Sequence, residues 1–117
     1  MPKTSSTTYS VIVTSNFKKE VKVLLKKYPS LKNELLDLVE KLEKNPRTGT
    51  PLGKDCFKIR LAIRSKGKGK RAGGRIISCV KVTAFKVFLL SIYDKSNQES
   101  VSDKELDMLL EIAGLKV

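Results

Sequence analysis

The chain has 117 residues, 40% of them apolar, and a net charge of +12 from 24 Lys and Arg against 12 Asp and Glu. That length fits one domain with one core, and that apolar share excludes wholesale disorder. No run of about 18 apolar residues is present, which excludes a transmembrane helix, and the lack of any histidine removes the usual zinc sites, the Cys–His nucleophile and the Ser–His–Asp triad.

Residues 1–8, MPKTSSTT, lack the apolar stretch of a signal peptide. They read as a disordered tail ahead of a single domain over 9–117, and a cytoplasmic location is expected. YSVIVT, 9–14, is β-branched and aromatic and predicts a short strand. Ser15 and Asn16 are placed to cap a helix. In that helix Phe17, Val21, Leu24, Leu25 and Tyr28 recur at helical spacing, and Pro29 stops it. Ser30 is the natural cap of a second helix, with Leu31, Leu35, Leu38, Val39 and Leu42 along one side. Asn45-Pro46 ends it, because a residue before proline avoids the α region. The short joint between the two predicts an antiparallel helical hairpin.

RTGTPLG, 47–53, reads as a loop. In CFKIRLAIR, 56–64, Phe57, Ile59, Leu61 and Ile63 alternate with Lys58, Arg60, Ala62 and Arg64. Period two, apolar on one side and cationic on the other, is a half-buried strand. RIISCVKV, 75–82, is apolar on both parities and predicts a central strand, and KVFLLSIY, 86–93, predicts a fourth. Ser102 with Glu105 three residues on forms a capping box, Val101 and Leu106 are placed as a hydrophobic staple, and Gly114 is a natural stop. The predicted order is β-α-α-β-β-β-α, an α+β fold with a small antiparallel sheet and helices on one face.

The charge is unevenly spread. Residues 54–75 hold nine cations (Lys54, Lys58, Arg60, Arg64, Lys66, Lys68, Lys70, Arg71 and Arg75) against the single anion Asp55, whereas 94–117 is net acidic. Such a cluster points to nucleic acid, an acidic protein segment, or both. A membrane surface fits poorly, because no helix sets a basic stripe opposite a large apolar one. Cys56 and Cys79 fall inside predicted strands without a CxxC, and read as small buried thiols; a cross-strand disulfide is disfavoured in a reducing cytosol. Neither a P-loop nor metal-ligand spacing is present.

The segments CFKIRLAI, GKGKRAGGRIIS, VFLLSIYDKS and the SDKEL helix start, in this order over roughly 9–113, resemble the RelE/ParE toxin superfamily of toxin–antitoxin pairs, with the HigB-like branch closest. The resemblance implies a RelE-like fold and a ribosome-dependent messenger-RNA endonuclease. It implies as partners the ribosome, messenger RNA and a cognate antitoxin with an acidic segment, with no cofactor or metal. Carried onto this sequence, it puts Arg75 on transition-state charge and Lys58 and Arg60 on phosphate binding or deprotonation of the 2′-hydroxyl. It puts Tyr93 and Lys95 at the end of the fourth strand, Lys95 standing nearest to where the family carries an arginine. Tyr93 is read as stacking on a base, donating a proton, or packing on the core edge. Asp94 is given no catalytic role and is a candidate to pair with Lys95 or another cation. Lys54, Arg64, Lys66, Lys68, Lys70 and Arg71 are expected to contact RNA rather than catalyse. The chemistry is physically available without histidine, since a lysine or tyrosine among cations has its pKa lowered. Two other functions remain open: a ParE-like inhibitor of DNA gyrase acting by protein binding, and a noncatalytic RNA-binding domain.

Overall fold

In the computed structural model, which describes residues 8–66, 73–98 and 100–115, the elements run β-α-α-β-β-β-β-α. They are β1 (Ser10–Val13), α1 (Ser15–Lys27), α2 (Leu31–Lys44), β2 (Thr50–Gly53), β3 (Cys56–Leu61), β4 (Gly74–Lys81), β5 (Lys86–Asp94) and α3 (Asp103–Ile112). Of the expected tail, residues 1–7 lie outside the described residues. No helix among the described residues is long and apolar enough to cross a membrane.

The α+β class is as expected, with local differences that have physical causes. Thr14, rather than Ser15 or Asn16, caps α1: its side chain accepts the Phe17 N–H at 3.3 Å. Asn16 turns instead to the Leu90 carbonyl and to Glu20. Ser30 does precede α2, but its hydroxyl donates to Glu34 and accepts from the Ser65 N–H instead of capping the helix backbone. The capping box at Ser102 and Glu105 forms as the sequence predicts.

The loop predicted over 47–53 contains a strand. β2 pairs with β3 at the sheet edge, where Pro51 leaves no ladder bond missing. Lys54 and Asp55 make the turn between them with φ of 57° and 62°, the left-handed pair that a tight hairpin requires. The sheet order is β1-β5-β4-β3-β2, and β1 joins β5 in parallel while the other pairs are antiparallel.

Helices also occupy both faces rather than one. On the first face Ile59, Leu61, Ile76, Val80, Val87 and Leu89 pack with Phe17 and Leu24 of α1 and Leu31, Leu38 and Leu42 of α2. On the second, Cys56, Ile77, Cys79, Leu90 and Tyr93 pack with Leu106 and Leu110 of α3. The doubly apolar pattern of β4 is thus a strand buried from both sides. A register shift between Ile77 and Ser78 marks a bulge against β5, and Glu20 accepts the Ser91 hydroxyl and Ile92 N–H beside it at 2.8 and 3.1 Å.

The glycine pair before Arg75 lets β4 start tight against β3. A Cβ on Gly73 would stand 2.1 Å from the Leu61 carbonyl oxygen, which is backbone and cannot yield. A Cβ on Gly74 would meet the movable Ile63 Cδ1 at 3.2 Å. Gly73→Ala is therefore expected to destabilise by about 2–3 kcal/mol and Gly74→Ala by less than about 1 kcal/mol. Urea unfolding measures both, and equal losses would contradict the close approach.

Candidate functional site

Directly opposed residues of an antiparallel pair point to the same side of a sheet. Arg60 is the partner of Arg75, Arg75 of Tyr93, Lys58 of Ile77, and Thr50 of Lys58. All of them therefore belong to the second face, at the end away from Cys56 and Cys79. There the sheet and the chain following β5 enclose a recess of about 490 Å³, lined by Thr50, Lys58, Arg60, Arg75, Lys95 and Ser100. No α3 residue and no carboxylate lines it among the described residues.

The four cations enter it differently. Arg75 is 4% exposed, and its guanidinium donates to the Gly74 carbonyl at 3.0 Å. Lys58 and Lys95 are half-buried, and Arg60 is exposed. Lys95 comes after the strand, so backbone contacts fix its position. Its N–H donates to the Gly73 carbonyl at 3.0 Å, which ties this turn to the glycine pair. Buried Asp94 folds the same turn. It accepts the Ser96 N–H and hydroxyl at 3.0 and 2.7 Å, and the Tyr28 hydroxyl of the first layer at 2.7 Å.

Tyr93 does not line the recess. It is 7% exposed and its ring packs with Leu106 and Leu110, which leaves no open face for a base. Its pKa is raised, not lowered as its cationic neighbours suggested: burial is the largest cause, Arg75 opposes it and Glu105 adds to it. Tyr93 keeps its proton at neutral pH.

The described members of the wider basic set do not line the recess. Lys54 lies in the β2–β3 turn and pairs with Asp107 of α3. Arg64 is exposed beside Arg60, with its Nε 3.7 Å from the buried Glu34. Lys68, Lys70 and Arg71 lie outside the described residues, as does the side chain of Lys66. The sequence reading missed Thr50 and Ser100. The signal for Thr50 was its place opposite Lys58, hidden while 47–53 read as a loop. Ser100 carries no signal in the sequence.

Four positive groups around one recess repel one another, and directly opposed like charges destabilise a sheet. An anion bound there relieves that repulsion. A nearly buried guanidinium acts on it through a lower effective dielectric than water, so the attraction is strong. The recess is chemically suited to a phosphodiester: charge from Arg75, Arg60 and the lysines, and neutral hydrogen bonds from Thr50 and Ser100.

The family model described as the RelE toxin of the RelE/RelB toxin–antitoxin system matches residues 11–116. Among curated proteins no relative matches. A free-state mutant of the Escherichia coli toxin RelE superposes with a TM-score of 0.54 at 18% identity, covering 92% of this chain and 95% of that one. The toxin–antitoxin complex RelBE2 of Mycobacterium tuberculosis contains a chain similar at TM-score 0.55 and 16% identity, over 77% of this chain and 94% of its own. At these identities the superpositions establish the fold alone.

The Tyr28–Asp94 contact is testable by pH. The Tyr28 pKa is raised, chiefly by its hydrogen bond to Asp94, with burial and the Asp94 charge adding. A raised folded value contributes stability that is full below the unfolded value of 10.0 and is lost as pH climbs through the folded one. Tyr28→Phe should remove about 1–2 kcal/mol at pH 7 and shallow the alkaline loss, with the Tyr93 contribution remaining. Urea unfolding between neutral and strongly alkaline pH measures this. An unchanged alkaline slope would contradict it.

Proposed function

We propose that this chain, which belongs to the RelE toxin family of RelE/RelB toxin–antitoxin systems, is an endoribonuclease that cuts messenger RNA on the ribosome with the cationic recess as its active site. The observation that carries this reading is the convergence of Lys58, Arg60, Arg75 and Lys95 on one recess without a lining carboxylate among the described residues.

RNA carries its own nucleophile. The 2′-oxygen attacks the adjacent phosphorus in line, the 5′-oxygen leaves, and a cyclic phosphate and a free 5′-hydroxyl result. The protein's task is to hold that geometry and to stabilise the added negative charge on the phosphorus oxygens. Arg75, nearly buried, supplies the fixed charge. Arg60 grips the phosphate from the rim. Lys58 and Lys95 flank it, binding the phosphate or carrying protons to and from the 2′- and 5′-oxygens. Lys95 acts as a point charge where an arginine would bind two oxygens at once. Tyr93 stays protonated behind Arg75 and is not the base.

The same recess gives a cognate antitoxin its target: an acidic segment that fills it neutralises the cations and excludes RNA. The related complex RelBE2 is a toxin–antitoxin complex, which supports such a partner here. The HigB-like assignment and a cytoplasmic site of action belong to the same proposal. A gyrase inhibitor of the ParE type is disfavoured, because protein docking does not need cations gathered on one phosphate. A noncatalytic RNA binder would bind with steep salt dependence and cut nothing.

The test is a translation reaction with the purified protein and mapping of messenger 5′ ends. Codon-phased cuts that require ribosomes are expected. Arg75→Ala should lower the cutting rate by about 10²–10³-fold. Because Arg75 is nearly buried, Arg75→Lys and Lys95→Ala accompany it, with melting curves for each. Both should also be slowed while remaining folded. Full activity in a folded Arg75→Ala protein, or DNA breaks that depend on gyrase, would overturn the proposal.

A further inference from the structure

Cys56 and Cys79 take no part in the recess, yet β3 and β4 set them face to face as Cα partners. One position along, the Val80 N–H donates to the Asp55 carbonyl at 2.9 Å. Hydrogen-bonded and non-hydrogen-bonded pairs alternate in an antiparallel ladder, so the two cysteines occupy a non-hydrogen-bonded pair. There Cα atoms stand about 4.5 Å apart and side chains come closest. That spacing lies within the range of about 4.4–6.8 Å that a disulfide spans. Both thiols are free and buried.

Two further features distinguish the pair from inert core thiols. A recess of about 360 Å³ on the flank of α3 reaches Cys79, with Lys54, Asp55, Lys81 and Asp107 around it. The two sulfurs are also chemically unequal. The Cys56 thiol is raised by its hydrogen bond with Cys79 and by burial. Cys79 is lowered by that same bond, with Lys81 adding and burial opposing. The recess is lined by Cys79 and not by Cys56, so Cys79 is the thiol an oxidant there meets first, and its thiolate is the nucleophile.

We infer that Cys56 and Cys79 form an oxidation site, at which hydrogen peroxide entering beside Cys79 converts the facing thiols into a cross-strand disulfide. In the first step the Cys79 thiolate attacks one peroxide oxygen and the O–O bond breaks. Cys79 becomes a sulfenic acid, and the departing hydroxide takes a proton and leaves as water. In the second step the Cys56 sulfur attacks the Cys79 sulfur, the S–O bond breaks, and the hydroxyl leaves with the Cys56 proton as a second water. The protein loses two electrons to the peroxide, and a dithiol reductant returns them. In a reducing compartment such a bond is transient, the usual form of an intracellular disulfide.

The bond has a structural consequence. It closes the chain between β3 and β4 into a loop that contains Lys58, Arg60 and Arg75, and pins the two strands that frame the cationic recess. A cross-link of this kind restricts the unfolded chain and raises resistance to unfolding. The inference does not depend on the nuclease reading.

The experiment uses the purified full chain, treated with hydrogen peroxide, denatured, alkylated with iodoacetamide and weighed by mass spectrometry. The expected product is a monomer lighter by two hydrogen atoms, unalkylated, restored by dithiothreitol, and melting several degrees higher before reduction. In Cys56→Ser the sulfenic acid should persist at Cys79 and be trapped by dimedone. In Cys79→Ser, trapping at Cys56 should be about tenfold slower. Full alkylation of both thiols after peroxide treatment, a bond that joins two chains, or equal trapping in the two variants would overturn the inference. The wild-type mass decides the matter even where a variant fails to fold.

Discussion

Arg60 and Arg75 face each other across β3 and β4, with Lys58 beside them and Lys95 at the end of the neighbouring strand. A sheet gains nothing from two guanidinium groups in register, since their repulsion works against the ladder that holds them. Arg75 is besides almost wholly withdrawn from water. That arrangement, more than net charge, is what the proposed phosphate site rests on. The rest of the fold holds this cluster in one register around one recess.

Three devices hold it. The backbone of Gly73 fits where any side chain would collide with the Leu61 carbonyl, so β4 begins with Arg75 opposite Arg60. The turn after β5 is fastened at two points, by the Lys95 N–H on Gly73 and by Asp94 between Ser96 and Tyr28. The apolar faces supply the remaining rigidity: α1 and α2 cover one side of the sheet, and α3 covers the Cys56–Cys79 end of the other. The first layer reaches Asp94 through Tyr28, so the turn that carries Lys95 is tied to the C-terminal end of α1.

Much of this was legible in the sequence, for local reasons. The alternation of Ile59 and Leu61 with Lys58 and Arg60 declared both a strand and which side of it was cationic. The helical periodicities of α1 and α2 and the capping box of α3 rest on interactions within a few residues, and they appeared where expected. What was not legible depends on distant partners. β2 reads as a loop because proline and glycine dominate it, and only its pairing with β3 makes it a strand. The side of the sheet taken by α3 is set by which parity of β4 and β5 it covers, and both parities are apolar. Adjacent cations left Tyr93 open between a functional role and core packing, and the burial that favours packing comes from Leu106 and Leu110 of α3. Thr50 and Ser100 reach the recess only through the folded chain.

The central claim is that one phosphodiester sits among Lys58, Arg60, Arg75 and Lys95. Its most direct test is a backbone and side-chain NMR titration with a short RNA whose target 2′-hydroxyl is methylated, so that it binds without being cut. The account predicts that the largest shifts fall on these four residues, with Thr50 and Ser100, and saturate together. Shifts gathered instead on the outer faces of α1 and α2, with the recess signals unmoved, would contradict it.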